Sequence, residues 1–293
     1  IGALMALNFG LGGVGEVGAS TSLETARGLP PNAVPLLLTA LVLFALFALV
    51  ESRVKHPLIN MRLFRSRPFS AGTLTNLFVG YALFVGLVIV PFLVNVRQED
   101  ASTLRRAALE VGILLSALTV PMAIAAIPGG WLANRIGFRA TTIGGLLISI
   151  VGFVMIWQTW TLDTPNEIIA LQMALVGVGL GLTFSPISTA VINSASEDER
   201  GIASALVLVV RLLGMTISIS SLTTYALNRV NSIIEQQLGN VQALDPVVYA
   251  QQAASISVEV LAELALIGAI VTGAAVVAAL FLPRNVQGEM HIA

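Results

Sequence analysis

Long apolar stretches, each close to the length that crosses a bilayer, follow one another along most of this chain. A membrane helix needs about 20 mostly apolar residues to cover about 30 Å of hydrocarbon. Residues 1–18, 33–50, 69–95, 108–128, 140–160, 168–193, 202–227 and 258–282 meet or approach that length. The first stretch is the weakest, being rich in glycine and carrying Glu16. A single stretch of this kind would suit a buried helix of a soluble domain. A series of them does not, because 56% of the 293 residues are hydrophobic and only 11% are charged. A soluble domain carries about a quarter charged residues. The expected fold is all-α and integral to the membrane, with about eight transmembrane helices and lipid as solvent.

The same composition excludes several function classes. A net charge of −1 leaves no electrostatic footprint for nucleic acid. With no cysteine, thiol chemistry, disulfides and cysteine-held metals are absent. The two histidines, His56 and His291, fall between or after the apolar stretches, and no H-E-x-x-H occurs. A haem or metal centre would lack its usual ligands, and no motif places a serine, histidine and acid together. Neither an enzyme nor a cofactor is expected. The chain begins at Ile1 without a charged leader or a small-residue cleavage site, which reads as a truncation rather than a signal peptide.

Loop charges set orientation. Connections must alternate sides. The set 51–68, 129–139, 194–201 and 283–293 holds nine cations: Arg53, Lys55, Arg62, Arg65, Arg67, Arg135, Arg139, Arg200 and Arg284. The alternate set holds five: Arg27, Arg97, Arg105, Arg106 and Arg229. The first set is expected to be cytoplasmic, with 283–293 as a cytoplasmic tail. In 51–68, cations alternate with Leu58, Ile59, Met61, Leu63 and Phe64. That pattern suits a short amphipathic helix at the interface, or an ordinary positive-inside anchor. Residues 228–257 are rich in Gln and Asn, with "LDP" as a turn. They are expected to carry the last two spans outward as a helical hairpin, with an irregular loop as the alternative.

One connection raises a sharper question. In "GGWLANRIGFRA" (129–140) two arginines are framed by glycines. Gly130 and Gly137 permit a tight turn and close helix approach. Arg135 and Arg139 suit phosphates or helix C-termini at the interface. The order Gly130, Leu132, Ala133, Asn134, Arg135, Gly137, Arg139 resembles the G-x-L-A-D-R-x-G-x-R loop signature of the major facilitator superfamily. Asn134 stands where that family carries an acid that latches the cytoplasmic side. It keeps a hydrogen-bond acceptor but not the charge.

Two further stretches extend the resemblance. "ESRVKHPLINMRLFRSRPFS" (51–70) is similar to the junction of fourteen-helix drug:proton antiporters that joins a linker helix to the seventh core helix. Residues 185–214, with Glu199, Arg200, Gly201, Arg211 and Gly214, are similar to the tenth-to-eleventh helix region of the same family. The resemblance implies that 1–50 forms two linker helices and 69–282 the C-terminal six-helix bundle of a secondary transporter. It also implies a missing N-terminal six-helix bundle as partner.

Within the spans, polar groups are costly and face a cavity or a partner. Arg211 lies about 15 Å along the seventh span, near mid-membrane. Facing lipid it would cost ~3 kcal/mol or more. Ser204, Gly214, Ser218, Ser221 and Tyr225 share its face at helical spacing, a stripe expected to face the cavity or the partner bundle. Arg211 is read either as a structural bridge or as a substrate or coupling residue. Asn76, Tyr81, Phe84, Gln172 and Phe184 are further cavity candidates, since apolar walls with a few polar groups suit a lipophilic ligand. Proton coupling needs a titratable group whose pKa burial can shift. Glu110 and Glu263 are the candidates, with Glu259 and Glu16 behind them. All are shallow, so the main proton acceptor is expected in the missing half. Gly177, Gly179 and Gly181 follow no strand and are no nucleotide fingerprint. They read as close helix contacts. Pro91, Pro121, Pro128 and Pro186 are tolerated inside spans.

The function expected from these readings is the C-terminal portion of a multidrug-type exporter of lipophilic or amphipathic compounds, proton-driven, in the cell (inner) membrane. A lipid or lipopeptide exporter, or a non-transporting membrane subunit, is the alternative.

Overall fold

The computed structural model describes residues 63–97, 104–238 and 246–284, together with helical positions Leu38, Thr39, Val42, Leu43, Leu46 and Leu49. The expected span at 1–18, most of that at 33–50, the junction up to residue 62 and the tail beyond 284 lie outside the described residues. So do Glu16, His56 and His291.

Six long helices dominate: α1 (Arg67–Val96), α2 (Leu104–Ile136), α3 (Phe138–Thr159), α4 (Asn166–Asn193), α5 (Arg200–Leu238) and α6 (Pro246–Ala279). Each contains a stretch apolar and long enough to cross a membrane, and no strand occurs among the described residues. Closed hydrogen bonding within each helix is what lipid demands of a crossing segment. Ser66 starts α1 by accepting a hydrogen bond from the Phe69 amide at 3.3 Å, with proline in the first turn. Pro91 in α1, Pro121 and Pro128 in α2 and Pro186 in α4 all lie inside their helices.

The helices outrun the sequence-expected spans. Residues 129–136 were expected in a connecting loop, yet they complete α2, and Gly137 alone separates α2 from α3. Gly129 and Gly130 do not break the helix because they are used for contact. A methyl on Gly129 would meet the Leu182 carbonyl of α4, and one on Gly130 would meet the Ser185 hydroxyl. Gly137 makes the turn with φ 90°, the one positive φ among the described residues. α5 remains helical to Leu238 and α6 is helical from Pro246. At 39 residues α5 is about 58 Å long, nearly twice the hydrocarbon thickness.

α4 packs against α2 and α3, α1 packs against α5 and α6, and α3 meets α6. One buried apolar cluster runs through all six helices. A smaller one, built on Phe69, Val191, Ala203 and Leu206, closes the end that holds the α2–α3 turn, the signature end. Small residues set the spacing. Gly177 and Gly181 press on the Leu118 and Met122 carbonyls of α2, while Gly179 presses on Ser149 of α3. Between lipid-soluble helices this close approach is a main source of cohesion. α2 is the least enclosed helix: 17% of its most apolar window is buried, against 56% for α1.

Candidate functional site

The site is built where α1, α4 and α5 meet. Gly80 of α1 faces the Arg211 carbonyl and Gly214 of α5 faces the Leu77 carbonyl, so the two backbones touch on both sides of one turn. This contact brings side chains 135 residues apart together. Arg211, half-buried, donates from Nε to Asn76 Oδ1 at 3.1 Å. Asn76 is fully buried and donates from Nδ2 to the Val207 carbonyl, one turn before Arg211. From α4, the Phe184 ring lies 4.0 Å beneath the guanidinium, a cation–π arrangement. No described carboxylate pairs with Arg211. Its terminal amino groups have no hydrogen-bond partner among the described residues.

Further along the same helix pair, Tyr81 and Ser221 share a hydrogen bond of 2.8 Å. Ser218 is fully buried, and its hydroxyl lacks a partner among the described residues. Phe84 stands one turn beyond Gly80 on α1, partly buried. Within the polar stripe of α5, Arg211, Gly214 and Ser221 contact α1, with Ser221 left exposed. Two members leave this pattern. Ser204 is exposed and bonds only its own helix, through the Gly201 carbonyl. Tyr225 turns toward α6. Gln172 stands apart from the group. It is 1% exposed, accepts from Trp160 Nε1 at 2.8 Å and donates to Thr159 Oγ1 at 2.7 Å, fastening the end of α3 to α4.

The two coupling candidates lie at the far end, opposite the signature end, and both are engaged. Glu110 accepts from Asn166 Nδ2 at 2.7 Å. Arg97 donates to Asn166 Oδ1 at 3.1 Å and to the Thr161 and Thr164 carbonyls. Burial pulls the Arg97 guanidinium below its ordinary value, while Glu110 and Asp163 act to hold it up. Glu263 accepts from Arg229 Nε and a terminal nitrogen, the latter at 3.0 Å, and from the Tyr225 hydroxyl at 2.7 Å. Glu259 lines a cavity of 650 Å³ beside it, with Trp157 and Asp163. Sequence reading had counted Arg97 and Arg229 only as loop cations. Nothing in their spacing shows that Arg97 ties the end of α1 to α4 and the connection before it, or that Arg229 clasps α5 to α6.

At the signature end Asn134 and Arg135 are exposed on the last turn of α2, and Arg139 is partly buried at the start of α3. Arg135 lies 4.0 Å over the Trp131 ring of its own helix. Gly137 faces the Arg284 carbonyl, which places the segment after α6 against the turn. Groups of three or more residues able to hold a metal ion do not occur among the described residues.

Comparison with known proteins gives consistent matches. A family model described as the Major Facilitator Superfamily matches residues 7–219. A triacylglyceride transporter of Mycolicibacterium hassiacum is 32% identical over 246 residues, covering 81% of this chain and 44% of that protein. One from Mycobacterium tuberculosis is 33% identical over 244 residues, covering 80% of this chain and 45% of that protein. The chain thus spans about half the length of the curated relatives it matches. Among solved structures, a bacterial homologue of the human lysosomal transporter Spinster, inward-facing and unoccupied, aligns over 85% of this chain and 58% of its own. Its TM-score is 0.55 at 15% identity, a likeness of fold alone.

Proposed function

The chain belongs to the major facilitator superfamily, and on that premise we propose that it forms the C-terminal bundle of a secondary exporter that moves lipid. Alternating access would rock this bundle against a second one around a midplane site. The signature end would be cytoplasmic and the far end would face outward, in the cell membrane.

The observation that carries the reading is Arg211, held in the first third of α5 by Asn76 and Phe184, with no hydrogen-bond partner for its terminal amino groups among the described residues. A guanidinium of this kind, on an aromatic ring within an apolar bundle, suits an ester carbonyl or oxyanion on an otherwise apolar molecule. The relatives' names favour the lipid alternative over the multidrug reading. The length of α5 and α6 supports the same choice, since helices that leave the bilayer would shield a long apolar ligand from water. A proton gradient is the proposed drive. Glu110 and Glu263, already bonded to Asn166 and to Arg229, are poorly placed as the main acceptor.

The test uses full-length protein in proteoliposomes carrying a fluorescent triacylglyceride, with and without a pH gradient. Gradient-dependent lipid movement is expected, falling at least about tenfold in Arg211→Met, as the loss of one charge-assisted contact implies. Unchanged lipid movement in that variant, or export of cationic dyes with no movement of lipid, overturns the reading.

A further inference from the structure

Away from Arg211, the cavity of 650 Å³ at the far end lies between the last turn of α3, the connection that follows it and α6. That volume is within the range of small-ligand pockets, about 300–1,000 Å³. Two indoles line it. Trp157 is 42% exposed. Trp160 is buried and its Nε1 is spent on Gln172, so it offers only its ring. Leu162 and Val258 add apolar wall. The wall after α3 is fastened in place, because Arg97 holds the Thr161 and Thr164 carbonyls on either side of Asp163. A ligand therefore meets a preformed surface, which lowers the ordering cost of binding.

The titratable side chains that line this cavity are all carboxylates: Asp163, Glu259 and Glu263. Two arginines act on them from behind. Arg229 of α5 pairs with Glu263 at 3.0 Å, and its charge also reaches Glu259. Arg97 divides its charge between Asp163 and Glu110. Arg105 and Arg106, at the start of α2, do not line the cavity. Around it, Glu110, Asp163, Glu259 and Glu263 thus stand against Arg97 and Arg229. Neither Asp163 nor Glu259 has a salt bridge to a described residue. α3 also ends here with no basic residue in its last turn, and a helix C-terminus is itself negative.

The compensating charge has to come on a molecule rather than a bare ion. Asp163 and Glu259 stand on separate walls, and no three acids among the described residues come close enough to hold one metal ion. An organic cation fits both features of the wall. Carboxylates attract its charge, and indole faces attract a cation through the ring quadrupole while packing against an apolar body.

We propose that this cavity binds a small organic ammonium with an aromatic or apolar body. The ammonium lies between Asp163 and Glu259, and the body rests against Trp157 and Trp160. The site is separate from Arg211 and does not rest on the lipid reading.

Isothermal titration calorimetry of the full-length protein in a neutral detergent tests it, with phenethylammonium as the probe and phenethyl alcohol as its neutral counterpart. Wild type is expected to bind the ammonium at least about tenfold more tightly than the alcohol. Asp163→Asn and Glu259→Gln should each weaken ammonium binding about tenfold, the size expected for losing one charge-assisted bond. Both should leave the alcohol unaffected, which shows that the cavity is still formed. Trp157→Leu should weaken both probes. Equal affinity of wild type for the two probes overturns the proposal. So does ammonium binding that is unchanged in both carboxylate variants.

Discussion

Arg211 and Asn76 fix each other across the α1–α5 contact. The arginine Nε donates to the asparagine Oδ1 at 3.1 Å, and the asparagine is itself tied to the helix that carries the arginine, at the Val207 carbonyl. Asn76 is fully buried, so an arginine placed at random on this face would not find it. Asn76→Leu keeps the volume and removes both bonds. It should cost about 1–3 kcal/mol of stability, read as a lower unfolding temperature in detergent. Asn76→Asp keeps the acceptor and adds an attraction for the guanidinium, and should lose less. An equal loss in the two variants would mean that the asparagine's donor, not Arg211, matters.

The backbone contact beneath that pair admits no side chain. A methyl on Gly80 would overlap the Arg211 carbonyl, and one on Gly214 the Leu77 carbonyl. Gly80→Ala and Gly214→Ala should each force α1 and α5 apart and cost about 1–3 kcal/mol, the range for overpacking. Gly144→Ala is the control, since nothing lies within 4 Å of its added methyl. It should be neutral or slightly stabilising, because alanine is the better helix former. Thermal unfolding of the three variants decides the matter. Similar behaviour in all three would rule out the close contact.

Gly137 combines a positive φ with contact to the Arg284 carbonyl. Gly137→Ala strains the backbone by about 1–3 kcal/mol and pushes the post-α6 segment away from the turn. Limited proteolysis should then cut the C-terminal tail sooner than in wild type. An unaltered cleavage rate would show that the tail does not rest there.

Glu263 and Arg229 clasp the far portions of α6 and α5, with Tyr225 adding a third hydrogen bond. Because Arg229 is exposed, the global unfolding temperature of Glu263→Gln should change little. Hydrogen exchange should rise locally, in 225–238. The charge-swapped pair Arg229→Glu with Glu263→Arg should recover much of the protection. No rise in Glu263→Gln would mean that the helices stay together without the clasp.

Much of the fold was legible before any coordinate. The span centres, the turn between α2 and α3 and the tolerance of inner prolines follow from local rules about lipid and backbone bonding. The reading of 129–139 as a loop failed at its start, because a glycine pair within a helix looks like a break until its packing partners, Leu182 and Ser185, are known. Arg211 could be singled out from depth alone. Its partners could not. Asn76 and Phe184 were candidates by residue type, and Gln172 was an equal candidate that proves to be spent on Trp160 and Thr159.

By itself the sequence determined the apolar character of the chain and the six crossing segments among the described residues, since burial in lipid depends on a sum of side-chain polarities that can be read residue by residue. Tertiary structure alone decided which faces meet, and so which polar groups share a site. Helices α1, α3, α4 and α6 are apolar nearly all round, so no stripe announces an inner face. Their pairing rests on where a missing side chain lets two backbones touch, and that is a property of two helices together.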